Sequence, residues 1–255
     1  MTEQPVVQPQ HARGIFGLAV IALVMVSVLV SLGLWQLRRK DEKHALIAAL
    51  TERLAAAPVA LPAVTQWPAL TPAHDEFRRV RFTATLENKP DAMVYSSGSA
   101  VRDDVSGPGT WAFVPARLAD GRSVVINAGF VQNTMQDRAQ QDRAVHPLIT
   151  GTPARFTGYL RFPESAGTLT PHADSSKRLW FTRDIPSMAR ALGWGEIAPF
   201  YIDLESPQSA SGIPKPGPLH VRLKDDHLQY AITWFGLALV VAGAFVAWVV
   251  QRRRA

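Results

Sequence analysis

The sequence predicts an α+β membrane protein: two transmembrane helices, N- and C-terminal, flanking a mainly antiparallel β extramembrane domain with one or two short helices. Three observations carry this. Neither Gly14 to Leu37 nor Leu228 to Gln251 contains a charged residue. Each stretch is about 24 residues long, more than the ~20 that an α-helix needs to cross the hydrocarbon core. Between them, apolar and polar residues alternate over short runs broken by Gly, Pro, Asp and Asn, the pattern of strands with one buried face.

The elements follow in chain order. Residues 1–13 form a polar tail, and 14–37 the first span. This span is too long for the apolar core of a cleavable signal peptide, roughly 7–15 residues. It is followed by Arg38, Arg39 and Lys40 instead of small residues, so it is expected to remain uncleaved. Leu46, Ile47, Leu50 and Leu54 recur at helical spacing, which extends the helix past the span until Pro58 and Pro62 stop it. In FRRVRFTATLEN, residues Val80, Phe82, Ala84 and Leu86 share one side of a strand. AMVYSSG, ARFTGYLRF and PFYIDLE read as further strands. WAFVPARLADGRSVVINAGFV reads as two strands joined at Asp120-Gly121, a pair that tolerates the positive φ of a tight hairpin. IPSMARALGWG carries a short helix closed by Gly193 or Gly195. About six strands and one or two helices within 38–226 give a compact antiparallel sheet or a partly closed barrel. The second span covers 227–250, and 251–255 is a basic tail.

Composition excludes several functions. The chain has no cysteine, so disulfides, thiolate catalysis, iron–sulfur ligation, covalent c-type heme attachment and thiolate copper carriage are out. The net charge of +6 is concentrated beside the spans, at Arg38, Arg39, Lys40, Lys43 and Arg252 to Arg254. That placement suits lipid headgroups, not nucleic acid. Orientation is not decided by charge. Arg13 and Arg252 to Arg254 favour cytoplasmic termini, while Arg38, Arg39, Lys40, Lys43, Arg222 and Lys224 favour a cytoplasmic centre. No nucleophile elbow, metalloprotease helix, P-loop or dinucleotide fingerprint occurs, and the chain is not expected to be an enzyme. His172 and Asp174 fit a turn better than an acid–base pair. Asp184 fits the cap of the helix that follows, with Pro186 in its first turn.

The polar ends of the two spans on the central-domain side carry the candidate site. His227, Tyr230, Ala231 and Trp234 share one helical face, and Gln229 and Thr233 form a second polar pair. Tyr and Trp suit the membrane interface as plain anchors. Alternatively, the imidazole ligates heme iron with the rings packed on the macrocycle. At the end of the first span, Gly33, Gln36 and Arg39 lie close on one face with Trp35 beside them. Gly33 permits close helix approach and Gln36 can bond across a helix pair.

Together these residues are similar to the surfeit locus protein one family of assembly factors for heme–copper cytochrome oxidases. The resemblance rests on Gly33-x-Trp35-Gln36-x-x-Arg39, GYLRFPE at 158–164, the Pro171 loop, LWFTRD at 179–184, PFYID at 199–203 and HLQYAITWFGLA at 227–238. One block departs: the family's Asn-Arg-Gly-Trp is here Asn127-Ala128-Gly129-Phe130, so no role of that Arg carries over. The resemblance implies cytoplasmic termini and a periplasmic centre in a bacterial inner membrane. It also implies transient binding of heme a. His227 would ligate the iron, with Tyr230 and Trp234 on the macrocycle and Gln36, Arg39 and Trp35 at the propionates or the partner helix. The implied partners are the oxidase catalytic subunit, heme a synthase and membrane lipid. The alternative is a cofactor-free membrane scaffold that stabilises the oxidase subunit during assembly.

Overall fold

The computed structural model describes residues 10–99, 101–132, 138–220 and 225–254, with side chains in the first helix from Phe16 onward. Arg222, Lys224 and the side chain of Arg13, which enter the charge argument, lie outside that description. The chain separates into two units, Met1–Ile47 with Lys224–Ala255, and Ala48–Leu223.

The first unit is built from α1 (Gln10–Ala55) and α5 (His227–Arg254). Both are long and apolar enough to cross a membrane. Large apolar side chains such as Phe16, Leu23, Leu239 and Val240 are bare on their surfaces, an arrangement that water would penalise and lipid would not. Where the helices meet, residues are small: Gly33, Ala231 and Ala238 are buried. A Cβ at Gly33 would lie 2.6 Å from the Phe235 ring, so only glycine permits this approach. Arg252, Arg253 and Arg254 occupy the last turn of α5, where cations complement the negative end of the helix dipole.

The second unit is an eight-stranded, mostly antiparallel sheet with order β1-β2-β6-β8-β5-β4-β3-β7. Its strands are β1 (Val59–Ala60), β2 (Arg79–Leu86), β3 (Ala92–Ser96), β4 (Gly109–Leu118), β5 (Ser123–Gln132), β6 (Ala154–Arg161), β7 (Leu179–Trp180) and β8 (Ile197–Ser206). The short α-helices of this unit are α2 (Pro72–Asp75), α3 (Arg138–Val145) and α4 (Ile185–Leu192). The sheet closes on itself because β2 serves two neighbours: Arg79–Ala84 pair with β6, and Ala84–Leu86 pair with β4. The ring therefore runs β2-β6-β8-β5-β4 and back to β2. Its one parallel contact is β5 with β8. With a helix, α3, between β5 and β6, this is the Greek-key connectivity of the OB-fold barrel.

Alternation along the strands makes two cores. Ala112, Val114 and Ala116 of β4, Val124 and Ile126 of β5, and Phe200, Ile202 and Leu204 of β8 join one cluster with Val145 of α3. Their neighbours Trp111, Phe113, Val125 and Tyr201 point to the opposite face and join a second cluster. That face is covered by the chain's own insertions, through Val94 of β3, Trp180 of β7, Ile185 and Met188 of α4, and Trp194. The face on which OB barrels commonly receive ligands is thus sealed from within.

Several expected features are in place. Asp184 accepts the Ser187 N–H at 3.0 Å to cap α4, and Gly193 closes it at φ 66°. The β4–β5 hairpin turns at Gly121, φ 84°. Asp174 accepts from Ser176 Oγ at 2.5 Å and from the Lys177 N–H at 3.1 Å. These bonds hold its carboxyl down to about 2, and with His172 exposed the segment is a turn. The two-residue strands β1 and β7 were not among the expected strands, being too short to show a period. Nor was α3 expected, and it is held by tertiary ion pairs. Arg138 and Arg178 both reach the buried Asp91 at 2.8 Å, and Arg178 reaches Asp142 at 2.7 Å.

Candidate functional site

The site is built where α5 starts. The first N–H groups of a helix have no intrahelical acceptor, and here the Asp225 side chain, just outside the helix, supplies one of the missing partners. Asp225 Oδ1 accepts the His227 N–H at 3.0 Å, while the Tyr230 N–H donates to the Asp226 carbonyl at 3.1 Å. The other Asp225 oxygen, Oδ2, lies 2.6 Å from His44 Nε2. The His227 backbone N–H, together with His44, holds the Asp225 carboxyl below its ordinary range.

The ring of His227 is held separately. Its Nδ1 lies 2.7 Å from Gln36 Oε1, and Gln36 is buried. An amide oxygen only accepts, so Nδ1 is the donor, and in the neutral ring Nε2 keeps its lone pair. Such an imidazole could take the iron of a porphyrin, the partner on Nδ1 setting both tautomer and orientation. Among the described residues no group of three or more His, Cys, Asp or Glu side chains could hold a bare metal ion.

The candidate residues divide into groups. His227 and Gln36 are joined across the helix pair, so Gln36 serves the partner helix. Arg39 sits over the Trp35 ring, 5.9 Å from its centroid, and pairs with Glu42 at 2.9 Å. Tyr230 is 54% exposed and Trp35 50% exposed, the latter with Arg39 over its ring. Trp234 is half-buried. Two participants escaped sequence reasoning. His44 stands in KDEKHALIAAL among charges and resembles any solvated helix face; Asp225 resembles a headgroup marker.

Replacing Gly33 by leucine is expected to drive the Phe235 ring out of the seam and weaken helix pairing by about 1–3 kcal/mol. Denaturant titration of the detergent-solubilised chain, with Phe235→Ala added as a compensating change, measures this; the double variant should regain part of the loss.

The blocks of the β unit named above meet elsewhere, in a polar network beside the second core. Asn127 Nδ2 donates to Asp203 Oδ1 at 2.7 Å, and an Arg161 N–H donates to Asp203 Oδ2 at 2.7 Å. Arg161 also pairs with Glu76 and lies 4.4 Å over the Phe77 ring. Arg183 pairs with Glu164 at 2.6 Å. Tyr201 is fully buried beside them, and burial pushes its phenol far up. GYLRFPE, LWFTRD and PFYID thus tie β5, β6 and β8 together.

Comparison with known proteins agrees with this layout. The SURF1 family matches residues 23–239. A SURF1-like protein of Monosiga brevicollis is 30% identical, covering 91% of this chain and 87% of its own length. Surfeit locus protein 1 of Homo sapiens is 27% identical over 86% of this chain and 73% of its own. A SURF1-like protein of the bacterium Rickettsia conorii is 26% identical over 92% and 90%. The matched region begins within the first apolar helix, takes in the whole β unit, and ends within the second; the chain belongs to the SURF1 family.

Proposed function

We propose that this chain is an assembly factor for heme–copper cytochrome c oxidase that holds heme a as cargo at the paired helices, with His227 as the iron ligand. The observation behind this reading is the 2.7 Å bond between His227 Nδ1 and Gln36 Oε1, which fixes the ring and leaves Nε2 open. Heme a, when bound, would supply an iron that the His227 imidazole could ligate. Tyr230 and Trp234 would pack on the macrocycle, and Arg39, with Trp35 beside it, would meet a propionate through its two-pronged fork. The Arg39–Glu42 pair does not oppose this: both side chains are exposed and three residues apart on one helix, a type worth only about 0.3–0.5 kcal/mol.

In this reading the chain is not an enzyme. It sits in a bacterial inner membrane with cytoplasmic termini and a periplasmic β domain, receives its cargo from heme a synthase and serves the oxidase catalytic subunit. Family membership supports that placement, against the charge count at Arg38, Arg39, Lys40 and Lys43.

Purification of the full chain in detergent, from cells with and without heme a synthesis, tests the proposal. The wild type is expected to carry heme a with a defined Soret band, and His227→Ala to retain about tenfold less or lower. Equal loading with an unchanged band in His227→Ala would remove the ligand assignment. A colourless wild type that still copurifies with the catalytic subunit would favour the cofactor-free scaffold.

A further inference from the structure

His227 is the first residue of α5, and helix ends fray. That is a poor place from which to hold a ring still, unless something outside the helix restrains it. The Gln36 bond alone would be one point of attachment, and a single point is a pivot. The second point is His44. Its Nε2 meets Asp225 Oδ2 at 2.6 Å, and the other oxygen of the same carboxylate accepts the His227 backbone N–H at 3.0 Å. Gln36 and His44 are eight residues apart on α1, about two turns. The start of α5 is therefore gripped at two levels of α1, once through the ring and once through the backbone. His44 is 54% exposed while Asp225 is only 15% exposed, so His44 is not there to fill a core.

We infer that His44 is a positioning residue: through Asp225 it holds the first turn of α5 so that the His227 ring keeps the one tautomer that leaves Nε2 free. The purpose of this arrangement rests on the heme-holding reading above; its geometry does not. Asp225 is the middle member, a carboxylate shared between a neighbouring helix and the helix end it caps. Without His44, the carboxylate loses this tie to α1, the first turn loosens, and the ring depends on its Gln36 bond.

The test uses the full chain in detergent without heme, labelled with 15N-histidine. The His227 signal is identified by its loss in His227→Ala. In the wild type a single Nδ1–H tautomer is expected. In His44→Ala the signal should average between tautomers, and in His44→Gln, whose amide N–H can still donate to Asp225, it should return. Heme a retention, measured separately, should fall about tenfold in His44→Ala and recover in His44→Gln. Because His44 lies outside Ala48–Leu223, melting of the β unit should not change. An unaltered His227 signal in His44→Ala overturns the inference. A wild type that takes up no heme a, while His44→Ala still scrambles the tautomer, sinks the heme reading and upholds the positioning role.

Discussion

Asp203→Leu is expected to destabilise the β unit by about 3–5 kcal/mol, a large share of the ~5–15 kcal/mol that typically holds a domain folded. Asp203 accepts from both Asn127 and Arg161, each at 2.7 Å. Arg161 has a side chain only 12% exposed. Burial works against its charge, yet the carboxylates of Asp203 and Glu76 outweigh burial and keep its guanidinium firmly protonated. Leucine at 203 would leave Arg161 with Glu76 alone and the Asn127 amide without its acceptor. Chemical denaturation of the detergent-solubilised chain, followed by far-UV circular dichroism, measures the loss. Adding Arg161→Met should recover much of it, because an apolar pair costs less than a buried charge without its partner. An unchanged midpoint in Asp203→Leu would show that the network is solvated.

Gly129→Ala is the second large effect. Between Ala112 paired with Gly129 and Phe113 paired with Asn127, the register of β4 and β5 shifts, leaving Ala128 as the extra residue of a bulge. Gly129 takes φ 128°, and a Cβ there would lie 2.3 Å from the Lys215 carbonyl carbon. That neighbour is backbone and is itself fixed, since Phe130 and Lys215 exchange hydrogen bonds of 3.1 and 2.8 Å. Backbone strain and overpacking add, for an expected cost of about 2–6 kcal/mol. Gly121→Ala is the control: φ is again positive, at 84°, but nothing lies within 4 Å of its Cβ. Only the strain, about 1–3 kcal/mol, should appear there. Equal melting shifts for the two variants would mean that the chain at Lys215 gives way.

The contrast between those glycines shows what sequence could reveal. Asp120-Gly121, Asp184 with Gly193, and the leucines beyond Leu37 are local chemistry, each readable within a few residues. Closure of the ring is not local. It depends on β2 turning from β6 to β4 at Ala84, and periodicity alone cannot assign one strand two partners. The residue facing Gly129 lies far along the chain, at Lys215, so sequence marks the glycine without explaining it. At the site, Gly33 and Gln36 were legible because small and amide side chains one turn apart in an apolar helix have few other uses. The Asp225–His44 link was not, because each residue alone has an ordinary reading.

Closure of the barrel also governs what the β unit can do to unfolded neighbours. Every strand of the ring has its lateral bonding taken on both sides, and the outermost members, β1 and β7, have two residues each. A stray extended peptide, such as one from a second copy, finds almost no template on which to lay down another row. The β unit is therefore guarded against edge-to-edge aggregation by its own topology.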